Sequence, residues 1–291
     1  MDRAELEQRL AALAIPEAGL FGARSFAWRM FRERALVTYA PRAVMLQYAY
    51  PAFAAASASY GETNGSRFTR AVSTLLAIVF GDRTRVMREA RRLFLLHDRL
   101  RGTTERGARF HANERAHLAW VLVTLLDASL RGYERHVGAI DEPALFAELP
   151  RMAALFGLAP SDVPESRAAL DRRIGHAVEH ELVVGAEARA MWAFLAAAEG
   201  RRERLARRLA RGWTAAILPA PLRRALWPEM SDRSARLVES SGSLLRARAL
   251  PPALRYVDAY REAAKAETAR AARPSSEDAA RGAAPRGRVR A

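Results

Sequence analysis

Residues 114–136 read ERAHLAWVLVTLLDASLRGYERH, and the repeat of their apolar side chains decides the fold class. Leu118, Val121, Leu122 and Leu125 recur at spacings of three and four, which places them along one side of a helix. Trp120 and Val123 fill the other sides, so residues 118–126 are apolar nearly all round. A helix of that kind belongs at the centre of a large bundle. The run is far short of the roughly 18 apolar residues that span a bilayer, so protein and not lipid is expected to cover it. AVSTLLAIVF at 71–80 reads the same way.

Working outward, the same period governs RSFAWRMFRERALV (24–37), PRAVMLQYAYPAFAAASAS (41–59), RTRVMREARRLFLLHDRL (83–100) and EPALFAELPRMAALFGL (142–158). Pro41, Gly61 to Gly65, Phe80-Gly81-Asp82, Arg101-Gly102-Thr103 and Ala159 to Asp162 supply the breaks. Further helices are expected at about 165–180, 186–211, 214–227, 232–247 and 252–268. No segment shows the period-two alternation of strands. The sequence predicts an all-α protein: one helical domain over 21–260, a helical appendage at 1–20, and a basic tail at 261–291. From Pro274 onward, PSSEDAARGAAPRGRVRA offers no apolar face to bury and reads as disordered.

The chain of 291 residues carries a net charge of +15, which invites a nucleic-acid reading. Two features argue against it. Every basic residue except Lys265 is arginine in an alanine-rich chain, the bias of a GC-rich bacterial genome, and the arginines are interleaved with acids along nearly the whole length. A solvated helical surface is the expectation, with no nucleic-acid partner. Cysteine is absent, which excludes disulfides, thiolate-ligated heme and a cysteine nucleophile and fits a cytoplasmic, reducing location. The N-terminus lacks the long apolar core of a secretory signal. The composition sets no oligomeric state.

Few residues suggest chemistry. His97 follows the apolar run Leu93 to Leu96, and Arg101 stands four residues on, in phase with it if the helix continues. A neutral imidazole there can ligate iron, with a guanidinium one turn away to meet a carboxylate. A buried histidine bonded to a carbonyl fits the spacing too, and on spacing alone it is preferred. HAVEH at 176–180 matches the inverted zinc-peptidase pattern, with His176 and His180 on one face and Glu179 as base. Its polar surroundings and the lack of a third ligand make it a solvated face. The G-x-S-x-G elbow, the G-x-G-x-x-G loop and the Walker lysine are all missing. Asp141-Glu142 reads as a helix cap, and His111, His117 and His136 need no special role.

The order of segments adds a resemblance. PRAVMLQYAYPAFAAA, RFTRAVSTLLAIVFGDR, ARRLFLLHDRLRGT and AWVLVTLLDASLRGY together resemble the all-helical heme b oxygenases that include the bacterial latex clearing proteins (rubber oxygenases) and the fungal ER-bound oxygenase MpaB. The likeness runs from about Phe21 to Pro160 and more loosely to about residue 260. It implies that His97, in an H-x-x-x-R element, is the metal ligand to heme iron, with Arg101 and Arg67 as heme-binding companions. The family's R-x-x-x-T element falls on Arg67 to Ala71, where alanine replaces the threonine, and Arg67 and Arg70 are the implied catalytic residues. Three histidines common in the family are replaced by Tyr50, Tyr60 and Leu122.

Two functions follow as expectations. One is a heme-dependent oxygenase that uses O2 on a hydrophobic small molecule, isoprenoid or otherwise unsaturated, cleaving it to carbonyl fragments or carrying out a related oxidation. The other is a heme-free member that has lost catalysis and binds a hydrophobic ligand or a protein.

Overall fold

The computed structural model describes residues 3–58, 64–196, 201–242 and 247–271. Among them the fold is all-α, with fifteen α-helices. The first six are α1 (Arg3–Ala12), α2 (Phe26–Phe31), α3 (Ala40–Tyr48), α4 (Pro51–Ala58), α5 (Asn64–Phe80) and α6 (Arg83–Asp98). A hairpin of β1 (Arg101–Thr103) and β2 (Arg109–His111) leads into α7 (Arg115–His136). Then follow α8 (Glu142–Ala154), α9 (Arg167–His180), α10 (Ala186–Ala196), α11 (Arg201–Ile217), α12 (Ala220–Leu226), α13 (Asp232–Ser241), α14 (Pro252–Arg255) and α15 (Asp258–Ala271). None of these helices is long and apolar enough to cross a membrane.

Helix α7 is the axis of the bundle, as its all-round apolar character requires. Its Trp120, Leu126 and Leu130 are buried, each such side chain contributing about 1.5–3 kcal/mol by leaving water. It packs on α3 and α9, while α5 packs on α6, α2 and α15. Helix α1 joins the same core through Leu6 and Leu10.

The α3–α7 seam also holds polar groups that need partners once buried. Gln47 Nε2 donates to Thr124 Oγ1 at 2.8 Å. Arg42 pairs with Asp127 at 2.5 Å, and Arg131 reaches the second oxygen of that carboxylate at 2.8 Å. Burial would raise the Asp127 carboxyl, but the charges of Arg42 and Arg131 more than offset it and hold the group below its ordinary range. Arg42 Nη1 donates to the Ile217 carbonyl, which ties the end of α11 to this seam.

Two expectations are corrected. The helix expected over 41–59 is two helices, because Pro51 has no N–H to give and opens α4 at its first position. The Ala49 carbonyl is recruited by the Val183 N–H at 2.7 Å. The absence of strands fails at the β1–β2 hairpin, whose short arms pair Arg101 with His111 and Thr103 with Arg109. Of the helix expected over 186–211, the described residues are helical in α10 and α11, and 197–200 lie outside the described residues. Helix α15 runs to Ala271, three residues past the helix end expected at 268, and the sequence from 272 lies outside the described residues.

Candidate functional site

Three helices each turn one stripe toward a common cavity of about 260 Å³. Helix α5 presents Arg70, Ala71, Thr74, Leu75 and Ile78, at the i, i+3, i+4 spacing of a single face. Helix α6 presents Leu93, Leu96 and His97 in the same phase, and α7 presents His117, Leu118, Val121, Leu122 and Leu125. Helix α4 closes one side with Ala52, Phe53 and Ala56, and Met152 of α8 and Phe156 close another. A second void of about 30 Å³ shares Leu75, Leu122, Leu125 and Met152 with the cavity and extends its apolar lining toward α2. Two larger hollows, of about 680 and 720 Å³, are lined by charged side chains and open elsewhere on the surface.

The wall is thus hydrocarbon interrupted by a few polar groups, the composition expected of a small-molecule site. His97 stands in the last turn of α6. Burial, reinforced by His111 nearby, pulls its pKa down to about 4, so the imidazole is uncharged at neutral pH. The end of α6 is fixed by Asn113, whose buried Nδ2 donates to the Phe94 carbonyl at 3.1 Å. The Ala112 N–H bonds to the Leu100 carbonyl at 2.9 Å, so the hairpin locks the position of His97 relative to α7.

Arg70 lines the cavity one turn before Thr74, whose Oγ1 accepts from Arg92 at 2.5 Å. Arg70 and Thr74 are themselves spaced R-x-x-x-T and both line the cavity. Arg67 belongs to α5, but its side chain lies outside the described residues.

Arg101 is placed elsewhere. The expected shared helix face with His97 is not made, because α6 ends at Asp98 and Arg101 opens β1. Its side chain is exposed and donates to Asp98 Oδ1 at 2.8 Å.

The family-histidine positions also divide. Leu122 is on the cavity wall. Tyr50 sits behind it, its ring 5.7 Å from both His117 and Trp120, and burial raises its hydroxyl pKa, which opposes a phenolate ligand. Tyr60 lies outside the described residues. His176 and His180 are well exposed, and no cluster of three metal-binding groups exists among the described residues.

Two site residues escaped the sequence reading. Thr74 falls outside the 67–71 element and carries no signal of its own in the sequence. His117 was dismissed as a helix-end histidine, although it stands four residues before Val121 and eight before Leu125 on the same stripe. Its Nδ1 lies 3.0 Å from the His111 carbonyl, an acceptor, so Nδ1 carries a proton and donates it there.

A family model described as the ER-bound oxygenase mpaB/B'/rubber oxygenase catalytic domain matches residues 28–250, a span that includes the whole cavity. Comparison with curated proteins and with solved structures gives no match.

Proposed function

The chain belongs to the family of ER-bound oxygenase mpaB and rubber oxygenase catalytic domains, and from that premise we propose that it is a heme b-dependent oxygenase acting with O2 on a hydrophobic, unsaturated molecule. The observation that carries this reading is a buried, uncharged imidazole, His97, set into a largely apolar wall formed by three in-phase helical stripes.

The donor set fits the group. His97 would ligate iron through a ring nitrogen, since its low pKa leaves a lone pair available without competition from a proton. Arg70 would meet a propionate carboxylate, and the Thr74 hydroxyl, already accepting from Arg92, has its own hydrogen to donate. When bound, heme b would supply the activation of O2 beside a carbon–carbon double bond. The walls from Leu75, Ile78, Leu118 and Leu125 would exclude water and orient a hydrocarbon, and the void toward α2 would take part of a longer one.

Expression with heme supply, followed by visible spectroscopy, tests the proposal. A Soret band that is lost in His97→Ala supports it, and a wild-type protein that takes up no heme refutes it. In that event the apolar Leu122, where relatives have a histidine, favours the other reading: a heme-free binder of a hydrophobic ligand in the same cavity.

A further inference from the structure

We propose that the N-terminal half of α11 is a docking surface for an anionic phospholipid bilayer. Helix α11 has two unlike halves. From Thr214 to Ile217 its side chains are buried in the core, whereas residues 203–206 and 208–210 are exposed. Leu205 and Leu209 are 62% and 67% exposed and stand one turn apart, so they share a face, which Ala206 and Ala210 widen. Arg204, Arg207 and Arg208 occupy the adjoining side of the helix, while Arg211 beyond them is held over the Trp192 and Trp227 rings. Glu203 is the one acid in this half, and it is spent on Arg207, at 3.1 and 3.2 Å.

An apolar stripe edged by arginines is the pattern of a helix lying in a bilayer interface. Leucines that gain nothing from folding can enter the acyl boundary, and the guanidinium groups reach lipid phosphates while their stems remain in apolar surroundings. The charge selects this occupant over a second copy of the chain, because symmetric pairing of the face would set arginine against arginine.

The position is also suggestive of use. Helix α10 packs on α11 and on α4, and α4 lines the cavity with Ala52, Phe53 and Ala56. Phe194 of α10 is itself 37% exposed and accepts from Arg207 through its carbonyl. A surface there would put the cavity within one helix layer of a membrane that dissolves hydrophobic molecules. The inference stands whether or not heme is bound.

The test is co-sedimentation of the full chain with vesicles of phosphatidylcholine alone or mixed with phosphatidylglycerol. Binding to the mixed vesicles, weakened by salt, is expected. The double variant Leu205→Glu/Leu209→Glu should lower partitioning by at least about tenfold, and Arg208→Gln should weaken it and reduce its salt dependence. Leu254→Glu, at a leucine 61% exposed on α14, should bind like wild type. Unchanged thermal melts would show that each variant is folded. Absence of binding by wild type, equal binding to neutral vesicles, or a double variant that binds undiminished overturns the proposal. So does a wild-type dimer that the double variant converts to monomer, which would assign the face to a second copy.

Discussion

Acid is expected to destabilise this protein through His97, by an amount that follows from its site. In the unfolded chain the imidazole titrates at its ordinary value of 6.5, and in the fold at about 4. Between those values the unfolded chain binds a proton that the fold rejects. The sign is therefore fixed: the stability is intact above 6.5, falls as the pH drops toward 4, and falls no further below that. The loss due to His97 is about 2 kcal/mol at pH 5 and approaches about 3 kcal/mol at the acid limit. His97→Leu keeps a side chain of similar volume and removes the titration. Urea unfolding followed by circular dichroism, on heme-free protein at pH 7 and pH 5, isolates the effect as the difference between wild type and variant. Carboxylates such as Asp127 titrate in both and cancel. Wild type should lose about 2 kcal/mol more than His97→Leu. Parallel losses would show that the cavity lets His97 protonate freely and would remove the case for an uncharged ligand.

Other expectations concern the scaffold and the wall. Arg42→Met leaves the Asp127 carboxylate buried with only Arg131, and should cost about 3–5 kcal/mol in urea unfolding; adding Asp127→Leu should recover most of it. Glu148 accepts from the Phe26 and Ala27 N–H groups at the start of α2, at 2.8 and 2.9 Å. Glu148→Ala should cost about 1–2 kcal/mol and speed hydrogen exchange at those two amides. Gly19 has φ +114° and its missing Cβ would sit 2.0 Å from the Gly81 carbonyl oxygen, so Gly19→Ala should lower the melting temperature and loosen the α5–α6 turn. Thr74→Val keeps shape and should leave the melting temperature within a few degrees while weakening heme uptake in a Soret titration; unchanged uptake would remove Thr74 from the site.

The extent to which the sequence could be read follows from the range of the forces involved. Periodicity is local, so Leu118 to Leu126 announced a central helix, and the all-α class followed without reference to any other part of the chain. The phase of His97 with Leu93 and Leu96 is local too, so its burial was legible, whereas spacing alone favoured an ordinary core histidine and only the resemblance pointed to a ligand. Residues that depend on where a helix stops were not. Arg101 is in phase with His97 only if α6 runs one turn further, and it ends at Asp98 because the hairpin takes over the backbone bonding from Leu100 onward. His117 looked unremarkable because its role depends on α7 facing α6 across a cavity, a relation between segments twenty residues apart. The sequence by itself determined the helical class and which stripes are apolar. The tertiary structure decided which stripes face one another, since burial and the depressed basicity of His97 arise only when separate helices exclude water together.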